Sequence, residues 1–253
     1  LLINSCMPIQ EPKEKPTTQQ PLEFGEFACR KSKADAASAN SPNPSSNSPS
    51  LLPTPLKLNL KNENAPVAII LHPHPKFGGT MNNKVVYNLH YCFFNFGFTC
   101  LRFNFRGVGK SEGEFDDGLG ELADAASALD FLQANSPNSS GCWVIGFSFG
   151  SWIGMQLLMR RPEISGFISV SPPANSYDFS FLAPCPSSGL IINGSLDRLV
   201  PPSDIKNLSD RLKLQKGIKV SHKEIEGADH FFTNFEEEMS KAVNVYLSTR
   251  SDL

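Results

Sequence analysis

Ser148 is the residue of this chain whose setting most strongly suggests covalent chemistry. It is the centre of a Gly-x-Ser-x-Gly pentapeptide, residues 146–150. An apolar run, Cys142 to Ile145, precedes the pentapeptide, and apolar residues at helical spacing follow it. A serine at a sharp strand-to-helix turn forms a nucleophile elbow, in which small residues two positions away keep Cβ atoms out of the turn. The pattern predicts that Ser148 is a nucleophile, although taken alone it also fits a surface serine in a glycine-rich turn.

A nucleophilic serine needs a base, and the base needs an acid that orients it. Asp197 and His230 follow Ser148 in the chain order Ser, Asp, His that accompanies this kind of turn. Each comes just after a run typical of a strand, Gly189 to Gly194 in one case and Ile218 to Ile225 in the other. Functional residues of a parallel sheet collect at the carboxyl ends of its strands. We therefore predict a catalytic triad of Ser148, Asp197 and His230.

The other histidines and acids fit these roles less well. His222 lies inside a predicted strand and His90 inside a predicted helix, so each is expected to pack or to face solvent. Asp229 is adjacent to His230 in sequence, and adjacent side chains seldom face each other well enough for an acid to orient a ring. Asp197 therefore remains the better acid.

Further segments carry a resemblance to a known family. They are residues 71–84, 102–111 and 113–116, together with the segments around the three triad candidates. In them the chain resembles the α/β-hydrolases, and within these a small bacterial branch of dienelactone-hydrolase-like proteins. The likeness extends from about Ala65 to about Leu247. It implies the α/β-hydrolase fold and a serine hydrolase that needs neither a metal nor an organic cofactor. It does not imply a substrate, because one scaffold serves many chemistries.

The resemblance also implies an oxyanion hole made of two backbone N–H groups. One belongs to the residue after the nucleophile, which here is Phe149. The other comes from the loop after the predicted strand at 67–72. Where the family commonly has glycine this chain has Pro73, so the matching donor is His74. Proline has no N–H, which excludes the two prolines flanking His74.

The second donor of this hole has alternatives. Lys76 or Phe77 could provide the N–H group instead of His74, and the His-Pro turn also fits a purely structural role. A neighbouring loop begins with Asn104, where the family pattern has aspartate, and continues to Arg106 and Gly107. It matches no phosphate-binding glycine motif. We expect Arg106 to tie loops together near the site, rather than to contact substrate.

Composition limits the remaining functional classes. The chain has 253 residues and a net charge of −2, so it allows one sizeable domain and gives no electrostatic support for nucleic-acid binding. It contains no stretch of about 18 apolar residues, which argues against a membrane span. Six cysteines show no metal-ligand spacing. We expect reduced thiols, a cytoplasmic protein, no bound metal or cofactor, and a small-molecule ester as substrate, with a homodimer as one option for assembly.

The order of predicted elements indicates an α/β fold with a mainly parallel sheet and helices on both faces. Predicted strands are 67–72, 98–104, 142–147, 165–171, 189–194 and 218–225, with a short edge strand near residue 56. Predicted helices are 82–96, 119–134, 149–161, 203–214 and 235–248. We assign residues 55–253 to the catalytic domain. Residues 1–54 form a Ser/Pro/Asn-rich extension that is expected to be disordered and to carry no export signal.

Only residues 171–188 are available where larger relatives insert a lid, so we expect no cap domain and an open, shallow site. An apolar wall is predicted from Phe77, Phe147, Phe149, Phe179 and Phe231. Such a site favours small or short-acyl esters, and the preferred interpretation is a carboxylesterase. A thioesterase, a lactonase or dienelactone hydrolase, and an amidase or peptidase would use the same triad. A non-catalytic binding protein is the remaining alternative.

Overall fold

Strands alternate with helices in the computed structural model, which describes residues 56–250. The strands are β1 (Leu56–Asn59), β2 (Val67–Leu71), β3 (Thr99–Phe103), β4 (Cys142–Phe147), β5 (Ile164–Val170), β6 (Gly189–Gly194) and β7 (Val220–Ile225). The helices are α1 (Lys84–Phe96), α2 (Leu119–Ala134), α3 (Phe149–Leu158), α4 (Pro202–Lys213) and α5 (Glu236–Ser248). The N-terminal extension predicted to be disordered, residues 1–54, lies outside the described residues.

Within residues 56–250 the strands form one sheet in the order β1-β3-β2-β4-β5-β6-β7. β1 is antiparallel to β3 at one edge, and the other neighbouring strands are parallel. From β2 the chain crosses to β3 on one side and then returns past β2 to β4 on the other. The crevice between β2 and β4 is thus a topological switch point, where open α/β sheets place their ligands.

Two apolar layers hold the helices against the sheet. Along β2, Val67, Ile69 and Leu71 face the layer that contains α2, α3 and α4, whereas Ala68 and Ile70 face the layer that contains α1 and α5. All five residues are fully buried. This explains the continuous apolar run in the sequence, since a central parallel strand is covered on both faces. The predicted α/β architecture, a mainly parallel sheet with helices on both faces, is confirmed.

The helix boundaries differ slightly from the predicted ones. α1 begins two residues later than predicted, because the side chain of Asn83 caps it by accepting a hydrogen bond from the Val85 N–H at 2.9 Å. α3 ends at Leu158 instead of residue 161. There the Arg160 N–H bonds to the Leu157 carbonyl at 2.9 Å, a tighter i to i−3 bond that closes the last turn.

The connection from β5 to β6 is short and irregular. Residues 171–188 form neither a helix nor a strand. This agrees with the predicted absence of a cap domain. Among the described residues, no inserted helix or strand from this connection covers the carboxyl ends of β2, β4, β6 and β7.

Candidate active site

Ser148 lies at the carboxyl end of β4, immediately before the first residue of α3. Its φ of 53° and ψ of −121° belong to a region that residues other than glycine rarely adopt. A Cβ on Gly146 would collide with the Gly150 carbonyl, and one on Gly150 would lie 2.5 Å from the carbonyl oxygens of Leu71 and His72. The predicted need for small residues on both sides of the turn is confirmed.

The structure brings the three predicted triad residues together. His230 Nε2 lies 3.1 Å from Ser148 Oγ, and His230 Nδ1 lies 2.7 Å from Asp197 Oδ2. The side chains of His230 and Asp197 are almost wholly buried, whereas Ser148 is half-buried and open to the crevice. These distances allow a proton to pass from the hydroxyl to the imidazole.

The loop after β6 fixes the position of the acid. The second carboxylate oxygen of Asp197 accepts hydrogen bonds from the backbone N–H groups of Leu199 and Val200, both at 2.9 Å. Hydrogen bonds of this kind stabilise an ionised carboxylate. Asp229, the weaker candidate, instead accepts bonds from the N–H groups of Phe231 and Thr233 in its own loop.

The loop after β2 narrows the choice of the second oxyanion donor. The Lys76 N–H bonds to His74 Nδ1 at 3.2 Å, and the Phe77 N–H bonds to the His74 carbonyl at 3.1 Å. Within residues 56–250 the N–H of His74 itself forms no hydrogen bond. Phe149 is the first residue of α3, so its N–H has no helical acceptor. The two N–H groups expected from the sequence to form the oxyanion hole are thus not engaged by other acceptors of the described residues.

His72 is a residue of the site that sequence reasoning did not single out. It is fully buried, its Nε2 accepts a hydrogen bond from the Phe105 N–H at 3.0 Å, and its Nδ1 donates to the Pro73 carbonyl at 2.6 Å. Burial lowers the pKa of His72 to about 4, which favours the neutral ring that this pair of bonds requires. His72 thus joins the loop that carries His74 to the end of β3. The only signal in the sequence was its place directly after a buried strand.

The loop after β3 is held by polar side chains. Arg106 makes a bidentate pair with Asp124 of α2, at 2.8 and 3.1 Å. Asn104 Oδ1 accepts a hydrogen bond from the Met81 N–H at 2.8 Å, and the Asn104 carbonyl accepts one from the Ser111 hydroxyl. These bonds agree with the expectation that Arg106 ties loops together.

Aromatic rings flank the crevice, but not all of the predicted ones. Phe147 and Phe231 contact His230, with ring centroids 5.4 and 5.1 Å away, and Phe77 contacts His74 at 4.6 Å. Phe179 differs from the prediction, since it is buried in the core and pairs with Phe181 at 6.1 Å. Phe147 and Phe149 are buried in the core as well, so only Phe77 and Phe231 of the predicted wall are exposed. The rings of Phe115, Trp152 and Tyr177 were not predicted and lie around Phe149.

Residues 56–250 contain no group of three or more His, Cys, Asp or Glu side chains that could hold a metal ion. No helix in that range is both long and apolar enough to cross a membrane.

Comparison with known proteins identifies the family. The profile of the alpha/beta hydrolase fold family matches residues 69–189. A crystal structure of an alpha/beta hydrolase of unknown function from Agrobacterium tumefaciens is 59% identical, with a TM-score of 0.74 over 76% of this chain and 89% of that one. An uncharacterised protein of Rickettsia prowazekii is 56% identical over 73% of this chain and 79% of its own length.

A structure with lower sequence identity belongs to a serine hydrolase. The crystal structure of a serine hydrolase without a lid from Xanthomonas campestris is 30% identical, with a TM-score of 0.69 over 77% of this chain and 88% of that one. The chain belongs to the α/β-hydrolase family, and it is similar to this serine hydrolase. The dienelactone-hydrolase-like branch stays a prediction.

Proposed function

We propose that this protein is a serine carboxylesterase with Ser148 as nucleophile, His230 as general base and Asp197 as the acid that orients the imidazole. The observation that carries this proposal is the hydrogen-bonded series from Asp197 through His230 to Ser148 at the switch point of the sheet. A serine of this kind has no activated oxygen without a base, and here the base lies 3.1 Å away.

The proposed reaction has two halves. Ser148 Oγ attacks the ester carbonyl and passes its proton to His230 Nε2, and the oxyanion is bound by the N–H groups of Phe149 and His74. His230 then donates the proton to the leaving alcohol as the acyl-enzyme forms. A water molecule, deprotonated by His230, attacks the acyl-enzyme, and Ser148 takes the proton back when the acid departs. The residues described here perform every step without a cofactor.

The environment of the site supports a small ester as substrate. The loop between β5 and β6 forms no cap, and two exposed aromatic side chains, Phe77 and Phe231, lie against His74 and His230. The cytoplasmic location and the homodimer expected from the sequence remain proposals. The four cysteines of residues 56–250 are buried and unpaired, as expected in a reducing compartment.

Hydrolysis of p-nitrophenyl acetate by the full chain and by Ser148→Ala tests this function. We expect kcat to fall by a factor on the order of 10³ to 10⁶ in the variant. Ser176→Ala, in an exposed loop, is a matched control that should retain full activity. Equal rates in the wild type and Ser148→Ala would overturn the assignment of the nucleophile. A panel of matched thioesters, lactones and amides would show whether esters are the preferred class.

A further inference from the structure

Aromatic rings surround Phe149, the residue that follows the candidate nucleophile. Their centroids lie 4.9 to 5.9 Å from that of Phe149 and belong to His74, Phe115, Trp152 and Tyr177. These four residues and Phe149 are called the aromatic cluster below. They come from the loop after β2, the loop after β3, helix α3 and the loop after β5.

The rings are partly open to solvent and fixed in place. Phe149 is buried, whereas the other four members are half-buried. The rings of Trp152 and Tyr177 lie 4.3 Å apart, and the Trp152 indole N–H donates to the Asp178 carbonyl at 3.1 Å. A Cβ at Gly118 would collide with the Trp152 ring, so the neighbouring loop is shaped to fit it. The aromatic cluster is therefore a preformed surface.

The position of His230 decides which part of an ester would meet this surface. His230 must give its proton to the leaving oxygen, so the leaving group lies beside its ring. Among the described residues the aromatic rings that contact His230 are Phe147 and Phe231, neither of which belongs to the aromatic cluster. The aromatic cluster instead contains His74 and Phe149, the two residues whose backbone N–H groups are the proposed oxyanion donors. The acyl group is the part of the substrate that extends there.

The charges beside the aromatic cluster oppose each other. The Lys76 ammonium lies 4.6 Å from the centre of the Phe115 ring. The carboxylate of Asp117 lies close enough to His74 and Tyr177 to act on both electrostatically. Glu121 also acts on Tyr177, but it is buried and its carboxylate accepts hydrogen bonds from the Asp116 and Gly118 N–H groups. Lys76 and Asp117 therefore place one cation and one anion beside the aromatic cluster, which gives no net preference for a charged acyl group.

We propose that the aromatic cluster is an acyl subsite for neutral, planar aromatic acyl groups, such as an arylacetyl group. This proposal rests on the proposed esterase function. Ring pairs in offset or edge-to-face contact gain roughly 0.5–1.5 kcal/mol beyond what burial of their area provides. A cyclohexyl ring has a similar size but lacks the π-face. The aromatic ester should therefore be preferred by roughly 2- to 12-fold.

Methyl phenylacetate and methyl cyclohexylacetate form the test pair, because a CH₂ group separates each ring from the carbonyl. The measurement is kcat/KM of the full chain on each ester, divided by the hydroxide-catalysed rate of the same ester. The ratio of interest is this corrected value for methyl phenylacetate divided by that for methyl cyclohexylacetate. We expect it to lie between about 2 and 12 in the wild type. It should fall towards 1 in Tyr177→Leu and in Phe115→Leu. Tyr91→Leu, on the exposed face of α1, should leave the ratio unchanged.

The outcomes separate this subsite from the esterase function itself. The subsite would be overturned, and the esterase proposal left intact, if the wild type hydrolysed both esters efficiently with a ratio near 1. A ratio that neither Tyr177→Leu nor Phe115→Leu changes would have the same meaning. A preference for benzyl acetate over cyclohexylmethyl acetate, without any preference on the acyl side, would contradict the acyl placement. Failure to hydrolyse any ester would overturn both proposals. Circular dichroism of each variant identifies a loss of fold, and Phe115→Leu decides the result if Tyr177→Leu unfolds.

Discussion

The side chain of His72 lies 3.0 Å from the backbone N–H of Phe105 and accepts its hydrogen bond, which joins the loops that follow β2 and β3. The acceptor must be an unprotonated nitrogen. In a fully buried site, protonation would break this bond and leave a charge without solvent. The loop that carries the proposed oxyanion donor therefore depends on a neutral imidazole.

This dependence predicts a loss of stability in mild acid. Burial lowers the pKa of His72 to about 4, and burial lowers that of His90 on α1 to about 4 as well, whereas an unfolded histidine titrates near pH 6.5. Between these values the unfolded state binds more protons, so the free energy of unfolding falls as the pH decreases from about 6.5 to 4. Each histidine should contribute a loss of roughly 2–3 kcal/mol by about pH 4.5.

Urea unfolding at pH 7 and pH 4.5 measures this loss. The free energy of unfolding of the wild type should be lower at pH 4.5 than at pH 7. His90→Gln and His72→Gln should each make this difference smaller, by roughly 2–3 kcal/mol. A free energy of unfolding that is equal at both pH values in the wild type would contradict the burial of neutral histidines.

The packing of the elbow against the loop after β2 predicts that Gly150→Ala is destabilising. The new Cβ would lie 2.5 Å from two backbone carbonyl oxygens, which cannot rotate away. We expect a loss of about 1–3 kcal/mol in the free energy of unfolding, together with a loss of esterase activity. Gly141→Ala is the control, since its Cβ would meet only the Ser165 hydroxyl, at 3.4 Å. Equal stability of the two variants would show that the close approach has no energetic consequence.

The order of the elements could be predicted from the sequence because each one carries its own periodic signal. The apolar run Val67–Leu71 indicates a buried strand without knowledge of its neighbours. The exact ends depend on contacts from elsewhere, and they were predicted less well. β7, for example, begins at Val220, two residues later than predicted, where its pairing with Gly189 of β6 begins.

The candidate site was also predicted only where its residues carry a signal along the sequence. Ser148, Asp197 and His230 could be proposed because the elbow, the chain order and the strand ends are all readable along the chain. The aromatic cluster could not be proposed, since Phe115 and Tyr177 belong to separate loops that meet only in the fold. The role of His72 was missed for the same reason, because its partner Phe105 is 33 residues away.

The orientation of His230 by Asp197 predicts a large effect of Asp197→Asn. The amide would hold the imidazole in the wrong tautomer, and kcat should fall by about 10⁴. Substrate binding should change little, because Asp197 is buried behind His230. The measurement is kcat and KM for one short-acyl ester. Asp178→Asn, on an exposed loop, should leave both values as in the wild type. A kcat reduced less than tenfold by Asp197→Asn would contradict the role of the acid.

The proposed second oxyanion donor predicts different effects for two substitutions of His74. His74→Ala keeps the backbone N–H, whereas His74→Pro removes it, and the φ of −54° at this position suits proline. We expect kcat of His74→Pro to be lower than that of His74→Ala by roughly 10² to 10³. Equal kcat values for these two variants would assign the second donor to another group.

The central claim is that Ser148 forms a covalent intermediate, and labelling with a fluorophosphonate tests it most directly. The mass of the labelled full chain, followed by peptide mapping, should show one adduct per chain, located on Ser148. Labelling should be lost in Ser148→Ala and retained in Ser176→Ala. An unlabelled wild-type protein, or an adduct on any other residue, would contradict the account.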